Sequence, residues 1–296
     1  MPREVAAVRK IPFYNPRLAK LGIEVLALPE ARRRHGALRL EPERPDFYLM
    51  LLVRGGTGRH RVDFIEHRLG RGDVLLVRPG QVQQWGLQDR VVADLVLVSP
   101  LALAPLIARA EADMKMLALD DWPAKLRPTR QVFVDACADV ERLRTDIGRF
   151  EGSALETAQI WHELLALLLR LARERPELPA VAASTDRDIY GVFMRELDKH
   201  LDRRPSIREL AQRIGYSEST LSRACLAAAG HTAKSAVDQR VALEAKRLLV
   251  HSEANVAQIA TKLGFSETTN FIKFFRRLVK VTPSAFRSAQ AEFNAR

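Results

Sequence analysis

Two short stretches near the C-terminus concentrate hydroxyl, amide and cationic side chains at helical spacing. An arginine fork can bind guanine through two hydrogen bonds, asparagine can pair with adenine, and isolated cations bind phosphate. Arg223 is therefore the candidate guanine reader, and Arg276, Arg277 and Lys280 are candidate phosphate contacts. For each serine and threonine, helix capping or simple solvation is an equal alternative. The candidate set is Ser219, Ser222, Arg223, Thr268, Thr269, Asn270 (an adenine reader), Lys273, Arg276 and Arg277.

A repeated segment must position these side chains. "ELAQRIGYSESTL" (209–221) and "QIATKLGFSETTN" (258–270) align 49 positions apart. Each predicts a short amphipathic helix, a glycine in a left-handed turn, and a second helix that begins near Glu218 in the first copy. We expect Ser217 and Ser266 to cap the second helices. Two helix-turn-helix modules are indicated, with the candidate residues on their second helices.

The region around these modules is predicted to be helical and basic. Capping pairs at Thr185 with Asp188, Ser206 with Glu209, and Asn255 with Gln258 indicate helix starts. From Thr185 onward, 19 Lys and Arg oppose 12 Asp and Glu, which leaves a net +7 of the total +11. Ser217–Gly230 holds one cation and Ser266–Lys280 holds four, so the second module should supply most of the salt-dependent attraction to DNA.

Composition favours a two-domain globular protein. The chain has 296 residues, of which 47% are hydrophobic and 28% charged, and its pI is about 10.1. The two cysteines lack metal-ligand or redox spacing, which argues against a disulfide scaffold and a zinc finger and favours a reducing cytoplasm. Neither a signal peptide nor a membrane-spanning run is recognisable, so no membrane partner is expected.

The N-terminal part combines strand and helix patterns. Short apolar runs separated by glycine-bearing turns, over about 23–99, predict a closed or sandwiched β domain. Helical periodicity follows over 101–175, and "ALETAQIWHELLALLLRLARE" places one broad apolar stripe that is either intramolecular core or a dimer surface. The proline-containing stretch 173–185 is interpreted as a linker.

The C-terminal pattern resembles the AraC/XylS family of transcription regulators. "IRELAQRIGYSESTLSR", "EAKRLL", "VAQIATKLGFSETTNFIKFFRR" and "VTPSAFR" carry this resemblance. It implies an α+β protein with an N-terminal cupin-like β-barrel and following helices (1–100 and 101–172), the linker, and an all-α DNA-binding domain (186–290). In that family a linking helix holds the two modules so that their second helices enter successive major grooves. The chain departs from the pattern at "CLAAAG", at Ala233 (commonly Pro) and at Lys280 (commonly Gly).

The N-terminal stretch "GDVLLVRPGQVQQW" resembles the cupin-like sensing domain often fused to such modules. Metal-binding cupins usually have histidine where this chain has Gln83, and a second histidine where it has Val62. No metal, cofactor or catalytic residue is therefore expected. A small organic effector is expected instead, although each candidate, taken singly, is more commonly a core aromatic or an exposed polar residue than a ligand contact. The candidates are Tyr48, His60, Arg78, Gln83 and Trp85.

These observations predict a ligand-responsive regulator that binds promoter or operator DNA, acts as a homodimer and contacts RNA polymerase. Activation is the expected sense, although no residue distinguishes it from repression. A ligand-independent regulator whose barrel only dimerises is one alternative. A cupin-type enzyme with a DNA-binding appendage is another. A DNA-repair alkyl acceptor would need a cluster of reactive cysteines that the sequence lacks.

Overall fold

The structure is a computed structural model that describes residues 9–34, 42–86, 90–102, 119, 122–174 and 184–295. These residues divide into two compact units, one within residues 8–176 and the other within 177–296. The part of the predicted helical region at 103–118 and the centre of the predicted linker, 175–183, lie outside the described residues. None of the helices that the structure describes has both the length and the apolar character that a bilayer crossing requires.

The N-terminal unit contains two five-stranded sheets. The first has the order β1-β3-β8-β5-β6, and the second has the order β10-β7-β4-β9-β2. All pairings are antiparallel except β1 with β3. The strands are β1 (Arg9–Ile11), β2 (Ile23–Ala27), β3 (Glu43–Pro45), β4 (Tyr48–Gly55), β5 (Thr57–Val62), β6 (Ile65–Gly70), β7 (Val74–Val77), β8 (Gln83–Trp85), β9 (Val92–Val98) and β10 (Lys125–Leu126).

Both faces of the second sheet are buried, and this explains why its strands read as continuous apolar runs. Along β4, Leu49 and Leu51 pack into the core that also holds Val62 and Trp85 of the first sheet. Met50 and the other residues of the alternate set pack instead into a second core shared with the helices. Because strand side chains alternate between faces, one strand can supply two cores.

The predicted α+β architecture is confirmed, and the β domain is an open sandwich. Among the described strands no pairing joins one sheet to the other, so the barrel does not close. The alternation along β4 gives the physical reason: the two sheets meet face to face through apolar side chains rather than edge to edge through backbone hydrogen bonds.

Within the described residues this unit has three α-helices, α1 (Leu28–Arg34), α2 (Arg130–Arg149) and α3 (Ala154–Ala172), and a 3-10 turn at Pro16–Leu18. α3 starts with a capping box between Ser153 and Glu156. Of its predicted apolar stripe, Leu164, Leu168 and Leu171 are fully buried in the core that α2 and the second sheet share. Most of the stripe is therefore intramolecular core.

The C-terminal unit consists of seven helices within the described residues, together with a 3-10 turn at Leu201–Arg203. They share a single apolar core to which α4, α7 and both repeated segments contribute. α7 packs against elements of both repeats, as expected for a linking helix. The helices are α4 (Ser184–Lys199), α5 (Ile207–Arg213), α6 (Glu218–Ala229), α7 (Ala233–His251), α8 (Val256–Lys262), α9 (Thr268–Val279) and α10 (Pro283–Ala295).

Candidate functional site

The two repeated segments fold into matching helix-turn-helix hairpins, α5–α6 and α8–α9. In the first, Gly215 has φ +76°, its N–H donates to Gln212, and the next N–H, of Tyr216, donates to Ala211. The second hairpin repeats this double hydrogen bond from Gly264, with φ +74°, and from Phe265. This pattern is the Schellman turn, which places its glycine in the left-handed region and satisfies the last carbonyls of the helix. The predicted glycine turns are confirmed.

The helix starts confirm most of the predicted caps and correct one. Ser206 with Glu209 and Asn255 with Gln258 form capping boxes, while the side chains of Thr185 and Asp188 lie outside what the structure describes. Ser217 caps α6 by accepting from the backbone N–H of Thr220. The prediction for Ser266 is wrong, because the residue at the N-cap of α9 is Glu267, whose side chain makes no capping hydrogen bond. The second turn is one residue longer than the first. After Ser217 and Ser266, residues that align in the two repeats therefore no longer occupy equivalent structural positions.

The helix α6, which follows the first turn, has one buried and one exposed side. Leu221, Ala224 and Cys225 are buried at i, i+3 and i+4. Ser219 and Arg223 are exposed and Ser222 is half-buried, so the three predicted contact residues lie off the core face. The hydroxyl of Ser219 lies 2.9 Å from that of Ser217, so Ser219 also belongs to the capping cluster of α6.

The helix α9 presents a wider polar surface. Three phenylalanines, Phe271, Phe274 and Phe275, fill its core side. Thr268 is half-buried, and all the other predicted contact residues of this module are exposed. They form one continuous strip of hydroxyl, amide and cationic groups. The strip consists of Thr268, Thr269, Asn270, Lys273, Arg276 and Arg277.

Two of the candidate arginines face carboxylates that sequence inspection did not connect to them. The Arg277 guanidinium lies 2.7 Å from Asp238 of α7, and the Nε of Arg223 lies 3.4 Å from Asp186 of α4. Both carboxylates are about 13–14% exposed, whereas both arginines are more than half exposed. Each pair spans more than 35 residues of chain, so no local pattern could have revealed it.

In the N-terminal unit, three of the predicted ligand residues meet between the sheets. His60, Gln83 and Trp85 are at least 95% buried. The Nε2 of His60 lies 3.2 Å from Oε1 of Gln83, and the His60 and Trp85 rings are in edge contact at 4.4 Å. Burial lowers the pKa of His60 to about 3, so the ring is neutral at physiological pH. His60 Nδ1 and Trp85 Nε1 are buried without a hydrogen-bond partner among the described residues.

The other two predicted ligand residues lie elsewhere. The Arg78 side chain donates to the carbonyls of Leu119, at 3.0 Å, and of Trp122. Tyr48 packs against the core that the second sheet shares with α2 and α3, the opposite side of that sheet from His60. The structure therefore brings together three of the five predicted residues.

An open cavity of about 660 Å³ lies along α2, on the helix side of the N-terminal unit. Arg54, Arg71 and Arg142 contribute its cationic groups, and Phe133 and Cys137 line part of its apolar wall. None of the predicted ligand residues lines it. The sequence shows no signal for this cavity, because its wall combines a helix face with residues about 60 to 90 positions earlier.

Glu66 of β6, a possible metal ligand by residue type, forms an exposed ion pair with Arg59 at 3.6 Å. In the described part of the chain, no group of three or more His, Cys, Asp or Glu side chains is arranged to hold a metal ion.

Comparison with known proteins assigns both units to the same family. A family model described as "Helix-turn-helix domain" matches residues 210–289, which contain both hairpins. A second model, described as "AraC-like ligand binding domain", matches residues 30–112, and together the two cover more than half of the chain. The chain belongs to the AraC family. It is an AraC-family DNA-binding transcription regulator with an N-terminal ligand-binding domain.

Relatives of this AraC-family regulator align over most of their length. The HTH-type transcriptional activator RhaS of Klebsiella pneumoniae (strain 342) is 25% identical over 252 residues, 83% of this chain and 86% of RhaS. RhaS of Escherichia coli O81 (strain ED1a) is 23% identical over 248 residues, 84% of this chain and 87% of that protein. The solved structure of ToxT from Vibrio cholerae matches with a TM-score of 0.43 and 10% identity, covering 90% of this chain and 97% of ToxT.

Proposed function

We propose that α6 and α9 are recognition helices that enter successive major grooves on one side of promoter DNA. The support is structural: each helix follows a Schellman turn, buries one side in the shared core and exposes polar and cationic side chains on the other. On this proposal Arg223 reads guanine and Asn270 reads adenine. Lys273, Arg276 and Arg277 bind phosphate, and the exposed hydroxyl residues make the remaining contacts.

Selection of bound duplexes from a random-sequence pool tests this proposal. The wild-type protein should enrich one motif with two half-sites about one helical turn apart. Arg223→Ala should cost about 1–3 kcal/mol on that motif and lose its preference at one base pair. Lys262→Ala, which removes an exposed cation from α8, is the control and should leave every base preference unchanged. Equal weakening by Arg223→Ala on all sequences would make Arg223 a phosphate contact instead.

We further propose that a small neutral organic effector binds between the two sheets at His60, Gln83 and Trp85. Two buried polar atoms without partners support this site, since such groups are costly unless something pairs with them. Gln83 Oε1 accepts from His60 Nε2, which leaves Nδ1 as an acceptor, and the Trp85 indole, whose ring is in edge contact with that of His60, supplies an N–H donor. A hydroxyl group both donates and accepts hydrogen bonds, so the expected ligand class is a hydroxylated compound.

A metabolite panel with thermal unfolding as readout tests the effector site. A ligand that binds the native state raises the unfolding midpoint by mass action. Trp85→Phe keeps an aromatic ring at this position but removes the indole N–H, and it should abolish the shift from a hydroxylated ligand. Ala138→Arg, which obstructs the cavity along α2, should leave the shift unchanged. The reverse result would place the effector in that cavity.

The remaining functional expectations are also proposals. We infer that the protein regulates transcription in the cytoplasm rather than catalysing a reaction, activates promoters through RNA polymerase, and works as a homodimer. The names of its relatives support activation.

Exposed apolar residues on the outer faces of α2 and α3, namely Val134, Leu155 and Leu169, support dimerisation there. Analytical ultracentrifugation of Leu155→Asp and of the wild type tests whether the protein dimerises through this surface. The same mass distribution in both would contradict that proposal. Residues 173–185 would act as the linker that transmits the effector signal.

A further inference from the structure

Arg204 lies in the short connection between α4 and α5, three residues before the first residue of α5. It follows the 3-10 turn Leu201–Arg203 and adopts a left-handed conformation with φ +49°. Such a conformation is uncommon for a residue with a side chain, and it is kept only where surrounding contacts hold it. By its position in the chain, Arg204 belongs to the first helix-turn-helix module.

The side chain of Arg204, however, contacts the second module. Its guanidinium carbon lies 4.1 Å from the ring centroid of Phe265, in the turn between α8 and α9. The same carbon lies 5.2 Å from the ring centroid of Phe274, in the middle of α9. Both distances are within the range of a cation–π interaction. The two rings are also packed on each other at 5.1 Å, so they form one aromatic platform under the guanidinium.

The backbone at this junction is equally close. A Cβ atom on Gly264 would lie 3.1 Å from the Cβ of Arg204 and 3.1 Å from the carbonyl carbon of Arg203. Among the residues that the structure describes, nothing lies within 4 Å of the same position on Gly215, the matching glycine of the first module. Gly264 therefore does more than form its turn: it lets the second module approach the 201–204 connection. The first turn has no such neighbour.

We propose that Arg204 is a positioning residue that fixes the spacing of the two recognition helices, and thereby the separation of the DNA half-sites that the protein accepts. The proposal rests on the proposed function, in which α6 and α9 both enter major grooves. α7 and the apolar core that both modules share hold the modules together. The contact of Arg204 with Phe265 and Phe274 adds a further connection, from the start of the first module to the turn and second helix of the second, and this connection restricts how far the modules can tilt against each other.

The experiment compares binding to two duplexes by the full-length protein. One duplex carries the motif selected from a random pool by the wild type, and the other carries one extra base pair between the half-sites. Wild type should lose at least about tenfold in affinity on the longer duplex, since one base pair rotates the second half-site away from its helix. Arg204→Ala should bind the selected duplex several-fold more weakly, and its penalty for the insertion should be at least threefold smaller.

Three further variants make the result specific. Arg208→Ala removes an exposed cation four residues along the chain and should keep the wild-type insertion penalty. Arg204→Gly accommodates the positive φ without strain and should behave like Arg204→Ala, which guards against a folding defect in the alanine variant. Arg204→Lys retains a cation over the rings and should restore part of the penalty.

An insertion penalty in Arg204→Ala and Arg204→Gly equal to that of wild type would overturn the inference. In that case weaker binding to both duplexes by the same factor would identify Arg204 as a phosphate contact. A wild-type protein that selects a motif yet tolerates the insertion would also overturn it, while leaving DNA binding intact. A wild-type protein that selects no motif would refute the proposed function and this inference together.

Discussion

The carboxylate of Asp238 lies 2.7 Å from the guanidinium of Arg277 and belongs to the helix that links the two modules. In the absence of DNA, one cation of the polar strip on α9 is therefore already paired with a carboxylate. Within the described residues, the neighbouring Arg276 and the nearby Lys273 form no ion pair, and both are exposed. Of these two adjacent arginines, Arg277 is paired with a carboxylate and Arg276 is not, so substitutions of the two should affect DNA binding differently.

The salt dependence of DNA binding should distinguish these arginines. Each phosphate contact contributes about 0.9 to the slope of log K against log salt concentration. Arg276→Ala should lower the magnitude of that slope by about 0.9. Asp238→Asn should tighten binding and leave the slope close to the wild-type value, because Arg277 then binds its phosphate without first giving up the Asp238 carboxylate. Anisotropy titrations at several salt concentrations measure both, and an unchanged slope in Arg276→Ala would remove it from the interface.

The two turn glycines should differ in their tolerance of a methyl group. Gly215→Ala should destabilise the C-terminal unit by about 1 kcal/mol, the usual cost of a left-handed alanine. Gly264→Ala should cost at least about 1 kcal/mol more, since its Cβ meets the backbone of Arg203 at 3.1 Å and cannot be relieved by side-chain rotation.

Cys225 offers a readout for this comparison. It is fully buried in the C-terminal unit, and burial raises the pKa of its thiol to about 11, so it reacts only when that unit opens. In a Cys137→Ser background, the rate of thiol labelling against denaturant concentration reports the stability of the unit that holds Cys225. Equal losses of stability in Gly215→Ala and Gly264→Ala would show that the 201–204 connection moves to accommodate the added methyl group without a measurable loss of free energy.

The C-cap of α9 is a site where the protein can be stabilised. Lys280 has φ +68°, whereas the equivalent C-cap of α6 is Gly230 with φ +69°. Lys280→Gly should stabilise the C-terminal unit by about 0.5–1 kcal/mol, because it removes the left-handed strain of a residue with a side chain. Lys280→Ala, which deletes the long side chain but keeps a Cβ, should show no gain. The same Cys225 labelling measures both variants, and a loss of stability in the glycine variant would contradict the expectation.

His60 should make the N-terminal unit sensitive to acid. Its pKa is lowered from 6.5 to about 3 by burial, so between these values the unfolded chain binds a proton that the folded chain does not. The resulting stability is present above pH 6.5 and is lost as the pH falls toward 3. The slope approaches about 1.4 kcal/mol per pH unit well below 6.5.

Tryptophan fluorescence can follow this effect selectively. All three tryptophans, at 85, 122 and 161, precede the boundary between the units, so their emission reports the N-terminal unit alone. His60→Gln should flatten the pH dependence of the denaturant midpoint between pH 7 and 5. His162→Gln, at an exposed position, should leave it as in wild type. A His60→Gln profile as steep as that of wild type would assign the acid sensitivity to other groups.

Local patterns were sufficient to predict the parts of the fold that depend on neighbouring residues. The Schellman turns at Gly215 and Gly264 join groups at most five residues apart, and a capping box joins groups three apart. Both can be recognised in a short stretch. Ser266 shows the limit even at this scale, because one extra residue moved the cap of α9 to Glu267.

The sequence alone thus determined the repeat, the exposed polar residues of α6 and α9 and the short apolar strands. The tertiary structure decided which carboxylate faces Arg223 and Arg277, which module Arg204 touches and which face of the second sheet receives Tyr48. Those outcomes join residues tens of positions apart. They follow from how helices and sheets pack to bury their apolar sides, and packing fixes the position of a polar side chain that has no periodic pattern of its own.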